Sequence, residues 1–213
     1  MIRQNGIRKF YASAIITDLC YDLSKRKTNK IKMIEVWTRQ HADVLKELNT
    51  TGRHWGSREF VETGMPEYRS FTIECYDWLA KNCPLPAADG IPADALPVWV
   101  QTHRDATYFA GDDGVVLKLL VDENMVCGVN VAKWGVIQNF GYIPLDEADR
   151  LRHVRMLKDY GINDVKAYTT PFYPEVKAEI LASWPRLFDR SVKSDSEQEY
   201  GIMREIKKEW LCL

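Results

Sequence analysis

The chain has 213 residues, 46% hydrophobic and 28% charged, with a formal net charge of −1. That length suits one domain with a sizeable core, and the near-neutral balance excludes a general electrostatic grip on nucleic acid. No apolar run approaches the roughly 20 residues that cross a bilayer, and no long apolar core of a signal peptide is present near the start. The five cysteines (Cys20, Cys75, Cys83, Cys127 and Cys212) are odd in number and scattered. They point to reduced thiols in a cytoplasm rather than to a disulfide framework.

Residues 1–32 read differently from the rest. Residues 7–23 suit a short helix, and Ser24-Lys25-Arg26-Lys27-Thr28-Asn29-Lys30-Ile31-Lys32 is a basic run. The expectation is an N-terminal appendage, either a mobile arm or translated leader ahead of a start at Met33. No membrane partner is expected, and nucleic acid would be met only through the basic run at residues 25–32. From 33 to 213 a single globular α+β domain is expected, with a mixed or antiparallel central sheet packed by several helices.

Ile34-Glu35-Val36-Trp37-Thr38-Arg39-Gln40 reads as the first strand of that domain. A short helix over 42–48 follows, with Gly52 beyond its end. The spacing of Tyr68, Phe71, Cys75, Trp78 and Leu79 predicts a longer helix entered through Pro66 and ended by Pro84 and Pro86. A Pro/Ala/Asp/Gly-rich loop then leads to Pro97. In the stretch 96–121, Val98, Val100 and Thr102 alternate with Trp99, Gln101 and His103, as in a strand with two different faces. Gly111-Asp112-Asp113-Gly114 reads as the turn of a tight hairpin between two adjacent strands. Val115-Val116-Leu117-Lys118-Leu119-Leu120-Val121 is nearly all apolar, as in a central strand buried on both faces.

Residues 125–130 read as a further strand or edge segment, and 133–139 suit a short helix. A clearer helix over 146–160 has acids in its first turn, Gly161 past its end, and Leu151, Val154, Leu157 and Tyr160 as its inward edge. Pro174 opens another, in which Val176, Ile180, Leu181 and Trp184 face inward until Pro185. The last segment, 200–213, reads as a strand passing into a helix.

Five local signatures fall in a recognisable order: Val36-Trp37-Thr38-Arg39-Gln40, Tyr76-Asp77-Trp78-Leu79, Pro97-Val98-Trp99, Ser183-Trp184-Pro185-Arg186-Leu187-Phe188-Asp189 and Glu205-Ile206-Lys207-Lys208-Glu209-Trp210. In that order they resemble the bacterial family of domain of unknown function 3841, over residues 33–213. Such proteins tend to carry acids on the central strand, where this chain has Lys118 and Leu120, and an Asp-rich segment where it has Gly128-Val129-Asn130. The resemblance therefore implies an activity that this member has kept, changed or lost.

At the level of fold the chain also resembles ADP-ribosyltransferase-like proteins, which implies NAD as the cofactor. Cleaving nicotinamide from NAD creates an oxocarbenium-like ribose that a carboxylate stabilises. On that reading Glu205 or Glu209 is the acid and Arg39 the catalytic cation. Thr38 and Gln40 hold the ribose or pyrophosphate, while Trp99, Gln101 and His103 receive the nicotinamide. The alternative is a non-catalytic, aromatic-rich interaction module with a protein partner, since seven tryptophans and ten tyrosines supply rigid contact surface. No metal is expected, because His41, His54, His103 and His153 have no ligand spacing with the cysteines.

Overall fold

The structure is a computed structural model that describes residues 31–59, 61, 69–104 and 114–212. The chain divides into two units, Met1–Lys32 and Met33–Leu213. The helix expected over 7–23, the basic run up to Lys30, Pro66, Tyr68 and residues 111–113 of the expected turn lie outside the described residues.

In the second unit, strand β1 (Met33–His41) pairs antiparallel with β4 (Gly114–Asp122), from Met33 opposite Asp122 to His41 opposite Gly114. Strands β3 (Val98–Val100), β6 (Glu199–Met203) and β5 (Cys127–Asn130) form a second antiparallel sheet in that order. One bridge joins the two sheets. Trp37 and Gln101 each donate a main-chain N–H to the other's carbonyl at 2.8 Å, which sets β1 beside β3. The short β2 (Arg53–His54) pairs with β7 (Ile206–Lys207), and Gly56 bridges Leu96 just beyond it. Every pairing among the described residues is antiparallel, in an α+β domain of the expected class.

Successive strand residues face opposite ways, so β3 and β6 divide two cores. Trp99 and its partner Ile202 face a core with Leu79, Trp134, Ile180 and Trp184. Val98, Val100 and Met203 face the other, with Val36, Leu48, Leu119 and Ile206. Helix α1 (Asp43–Thr51) closes the second core through Val44 and Leu48, and ends at Gly52. There φ is +78°, a left-handed turn that glycine makes without steric cost. The first core gathers α2 (Arg69–Asn82), α3 (Val131–Gln138), α5 (Asp164–Thr169) and α6 (Pro174–Ser183). In α2 part of the expected stripe faces the core: Cys75 and Leu79 are buried and Trp78 meets Trp184 edge-on at 5.3 Å, whereas Phe71 is 40% exposed. Helix α4 (Glu147–Tyr160) begins where Asp146 accepts the Asp149 N–H and ends at Gly161.

Four expectations are corrected. The middle strands are not hairpin partners: β4 pairs with β1, and β3 lies between β1 and β6. Nor is β4 buried on both faces. Leu117, Leu119 and Val121 point inward, whereas Val116 and Leu120 are about two-fifths exposed and Lys118 pairs with Glu35 at 2.6 Å. In α4, Leu151, Val154 and Tyr160 are exposed, and the buried residue is His153, which bonds Asp164 and Glu179 on the two neighbouring helices. The chain end forms β6, β7 and one 3-10 turn, Lys208–Trp210, in place of a helix. Helix α5 has no counterpart among the elements expected from the sequence. Its start is fixed by Asn163, whose side chain accepts the Lys166 N–H at 2.8 Å.

Candidate ligand cleft

The residues expected on the first two strands do not converge. Thr38 is 1% exposed; its hydroxyl donates to the Trp99 carbonyl at 2.8 Å and accepts from Gln40 Nε2 at 2.7 Å. After the Trp37–Gln101 pair an antiparallel ladder would next join residues 39 and 99. The strands diverge instead, and the Thr38 side chain takes the carbonyl that a main-chain N–H would have met. Arg39 lies on the opposite face of β1, its guanidinium across Gly114, where any Cβ would collide with it. Trp99 packs against Trp134 at 5.7 Å and Tyr200 at 6.3 Å between centroids, so its ring belongs to the first core. Gln101 is half-buried beside Trp37, and His103 is exposed beyond the end of β3. Thr38 and Gln40 thus occupy one face of the sheet, while Arg39, Trp99 and Gln101 occupy the other.

The two acids, in contrast, are brought together. Glu205 and Glu209 line one cleft of ≈ 540 Å³, within the range of small-molecule sites. It sits past the Val98 end of β3, because β6 runs antiparallel with Met203 opposite Val98 and then continues to Glu205. Gln101 and His103 continue β3 in the other direction. The β2–β7 pair builds the charged wall: Arg53 lies opposite Lys207, and the Lys208 N–H donates to the Gly52 carbonyl at 2.9 Å.

Glu205 has a side chain only 5% exposed, yet both its oxygens meet cations. Arg53 Nε donates to Oε2 at 2.5 Å, and Lys207 Nζ lies 3.9 Å from Oε1. The bond to Glu205 holds Arg53 above its ordinary value, against the effect of desolvation and with Asp89 adding to it. Lys207 also lies 5.4 Å from the centre of the Trp210 ring, a cation–π distance. Arg204 and Asp89 complete the charged lining; Met125, Met203 and the run from Leu85 to Ala88 supply apolar surface.

The cations Arg53, Arg204 and Lys207 and the acid Asp89 do not stand out in the sequence. They come from three separated segments, and only the pairing of β2 with β7 assembles them. The available signal was the alternation Glu205, Lys207, Glu209, which puts charge at every second position along an extended chain. Among the described residues no group of three or more His, Cys, Asp or Glu side chains is placed to hold a metal ion. No helix among them is long and apolar enough to cross a membrane.

These features define an α+β protein with a ligand-sized, charge-lined cleft. Residues 35–212 match the model of the family described as Domain of unknown function (DUF3841), and the chain belongs to that family. No curated protein and no solved structure matches it.

Proposed function

We propose that the chain is an enzyme of the ADP-ribosyltransferase type, which takes NAD as substrate in the cleft that holds Glu205. One observation carries this reading: a carboxylate 5% exposed, hydrogen-bonded by Arg53 and ion-paired with Lys207, in the wall of a cleft of ≈ 540 Å³. In the transfer, the bond from ribose C1′ to the nicotinamide nitrogen breaks and its electron pair leaves with neutral nicotinamide. Positive charge grows on the ribose, and a preorganised anion stabilises it without reorganising. Glu205 supplies that anion. The acceptor nucleophile bonds to C1′ and gives its proton to Glu209, the exposed acid of the same cleft. Three cations (Arg53, Arg204, Lys207) balance three carboxylates (Asp89, Glu205, Glu209), which suits a ligand bearing both a cationic ring and an anionic pyrophosphate.

The test incubates the purified protein with labelled NAD and a cell lysate. Label transfer by the wild type and a loss of roughly 100-fold or more in Glu205→Gln is expected. Arg39→Ala is the companion variant. Transfer that survives Glu205→Gln but disappears in Arg39→Ala would move the site to the first strand and overturn this assignment.

A second reading, a non-catalytic interaction module, is favoured by two exposed rings on the α4–α6 side: Phe172 at 77% and Tyr160 at 57%. It predicts no NAD binding in the same sample.

A further inference from the structure

Building on the NAD reading, we infer that the ligand is a dinucleotide that passes Arg204 into a second cleft, rather than a mononucleotide confined to the first. A cleft of ≈ 640 Å³ abuts the one holding Glu205; Ala87, Ala88 and Arg204 line both. The two therefore share a wall that includes Arg204, and the loop from Leu85 to Leu96, closed at its far end by the Gly56–Leu96 bridge, borders each.

The chemistry of the two compartments differs as the halves of NAD differ. The first has Glu205, Lys207 and Trp210, matching a ribose that becomes cationic and a flat ring. The second has Ile91, Leu96 and Pro97 as apolar surface, with the Asp94 carboxylate beside them as an acceptor. An adenine needs apolar contact for its faces and an acceptor for its exocyclic amine. Between the compartments a pyrophosphate would need a planar cation. Arg204 is tied to the end of α2 by Nη1 to the Ala80 carbonyl at 2.8 Å and Nη2 to the Cys83 carbonyl at 3.5 Å. A guanidinium has five N–H donors. Its Nε has no acceptor among the described residues, and neither does the Nε of Arg58, which lines the second compartment. Both Nε atoms are buried, so a ligand would be met by the N–H groups of the Arg204 Nη atoms beyond the two bonded to the Ala80 and Cys83 carbonyls.

Calorimetric titration of the full chain with NAD, nicotinamide mononucleotide and AMP tests this. NAD is expected to bind at least 10-fold tighter than nicotinamide mononucleotide. Ile91→Trp, which fills the second compartment from a loop and leaves Arg204 and the α2 end intact, is expected to remove that advantage while leaving the mononucleotide unchanged. Equal affinity for NAD and the mononucleotide, or an Ile91→Trp protein with unaltered NAD affinity, overturns the two-compartment ligand and leaves the Glu205 cleft standing. Absence of binding by NAD and the mononucleotide alike overturns both.

Discussion

Thr38 shows how a single hydroxyl can be claimed by the fold. It has the chemistry to hold a ribose, and its strand position resembles one that does. Here it is buried and already both donates, to Trp99, and accepts, from Gln40. Thr38→Val keeps the shape and removes the hydroxyl, leaving the Trp99 carbonyl without its partner, while the half-buried Gln40 amide can turn to water; a buried polar group left unpaired costs about 1–3 kcal/mol. We therefore expect Thr38→Val to lower the urea-unfolding free energy by about 1–3 kcal/mol, and Thr38→Ser, which keeps the hydroxyl, by clearly less. Equal stability of the valine variant and the wild type would show that the tie between β1 and β3 contributes nothing. Glu205 is the contrasting case: the same degree of burial leaves its carboxylate on the wall of a cleft, beside cations rather than strand carbonyls.

Among the elements, helices α4, α5 and α6 are joined by a polar knot. The His153 imidazole stacks on Tyr142 at 4.0 Å, with Nε2 on Asp164 at 2.7 Å and Nδ1 on Glu179 at 3.0 Å. Arg152 reaches Asp149, Glu179 and the Tyr142 hydroxyl, and Arg186 reaches Asp149 and the same hydroxyl. With His153 protonated, three cations face three carboxylates, and both ring nitrogens donate. Burial pulls the imidazole down, but its bonds to Asp164 and Glu179 outweigh that and hold it above its ordinary value. Burial would raise Asp149 and Glu179, yet their bonds from the surrounding donors hold both below the usual carboxylate range. A group raised in the folded state stabilises fully below its unfolded value, about 6.5 for histidine, and that stabilisation is lost as pH rises through the folded value. The lowered carboxylates stabilise above their unfolded values, about 4, and lose that as pH falls through the folded ones. Stability should therefore fall on the alkaline side of a mid-acid to neutral plateau, and again in acid. Chemical denaturation at a series of pH values should show the alkaline fall in the wild type but not in His153→Gln, whose overall stability is lower; an unchanged alkaline fall in that variant would rule out His153 as its source.

That knot also explains what could be read from the sequence at this scale. The ends of helices were legible because local chemistry decides them: Asp146 and Gly161 bracket α4, Pro174 opens α6, and Gly52 closes α1. The inward edge of α4 was not, because periodicity assumes that apolar residues point inward. The position facing α5 and α6 is instead a histidine whose carboxylate partners lie 11 and 26 residues away. The run Val115–Val121 failed for a related reason. A continuous apolar stretch reads the same whether its second face is covered or lies half-open beside a Glu35–Lys118 pair, and only the pairing with β1 decides which.

At the scale of the whole domain, β3 and β6 decide whether the two cores melt as one. Each strand sends alternate residues into both: Trp99 and Ile202 to the first, Val98, Val100 and Met203 to the second. Neither core can lose these strands without exposing the other. Gly201 sits at the shared centre, opposite Val100 on one side and Gly128 on the other. A Cβ at that position would stand 2.7 Å from the Val100 Cγ2 and 2.7 Å from the Val126 Cγ1. Branching at Cβ restricts valine at χ1, so two methyls must shift together, at an overpacking cost of about 1–3 kcal/mol. For a domain of this size each kcal/mol lowers Tm by roughly 2–4 °C. In Gly201→Ala the near-UV signal of Trp78, Trp99, Trp134 and Trp184, which report the first core, should shift with the loss of amide protection in β1 and β4, which report the second. Coincident transitions displaced by the same interval are the expected result. A tryptophan signal that persists while the β1–β4 amides exchange would mean that the two cores unfold separately, and that β3 and β6 are a boundary rather than a bond.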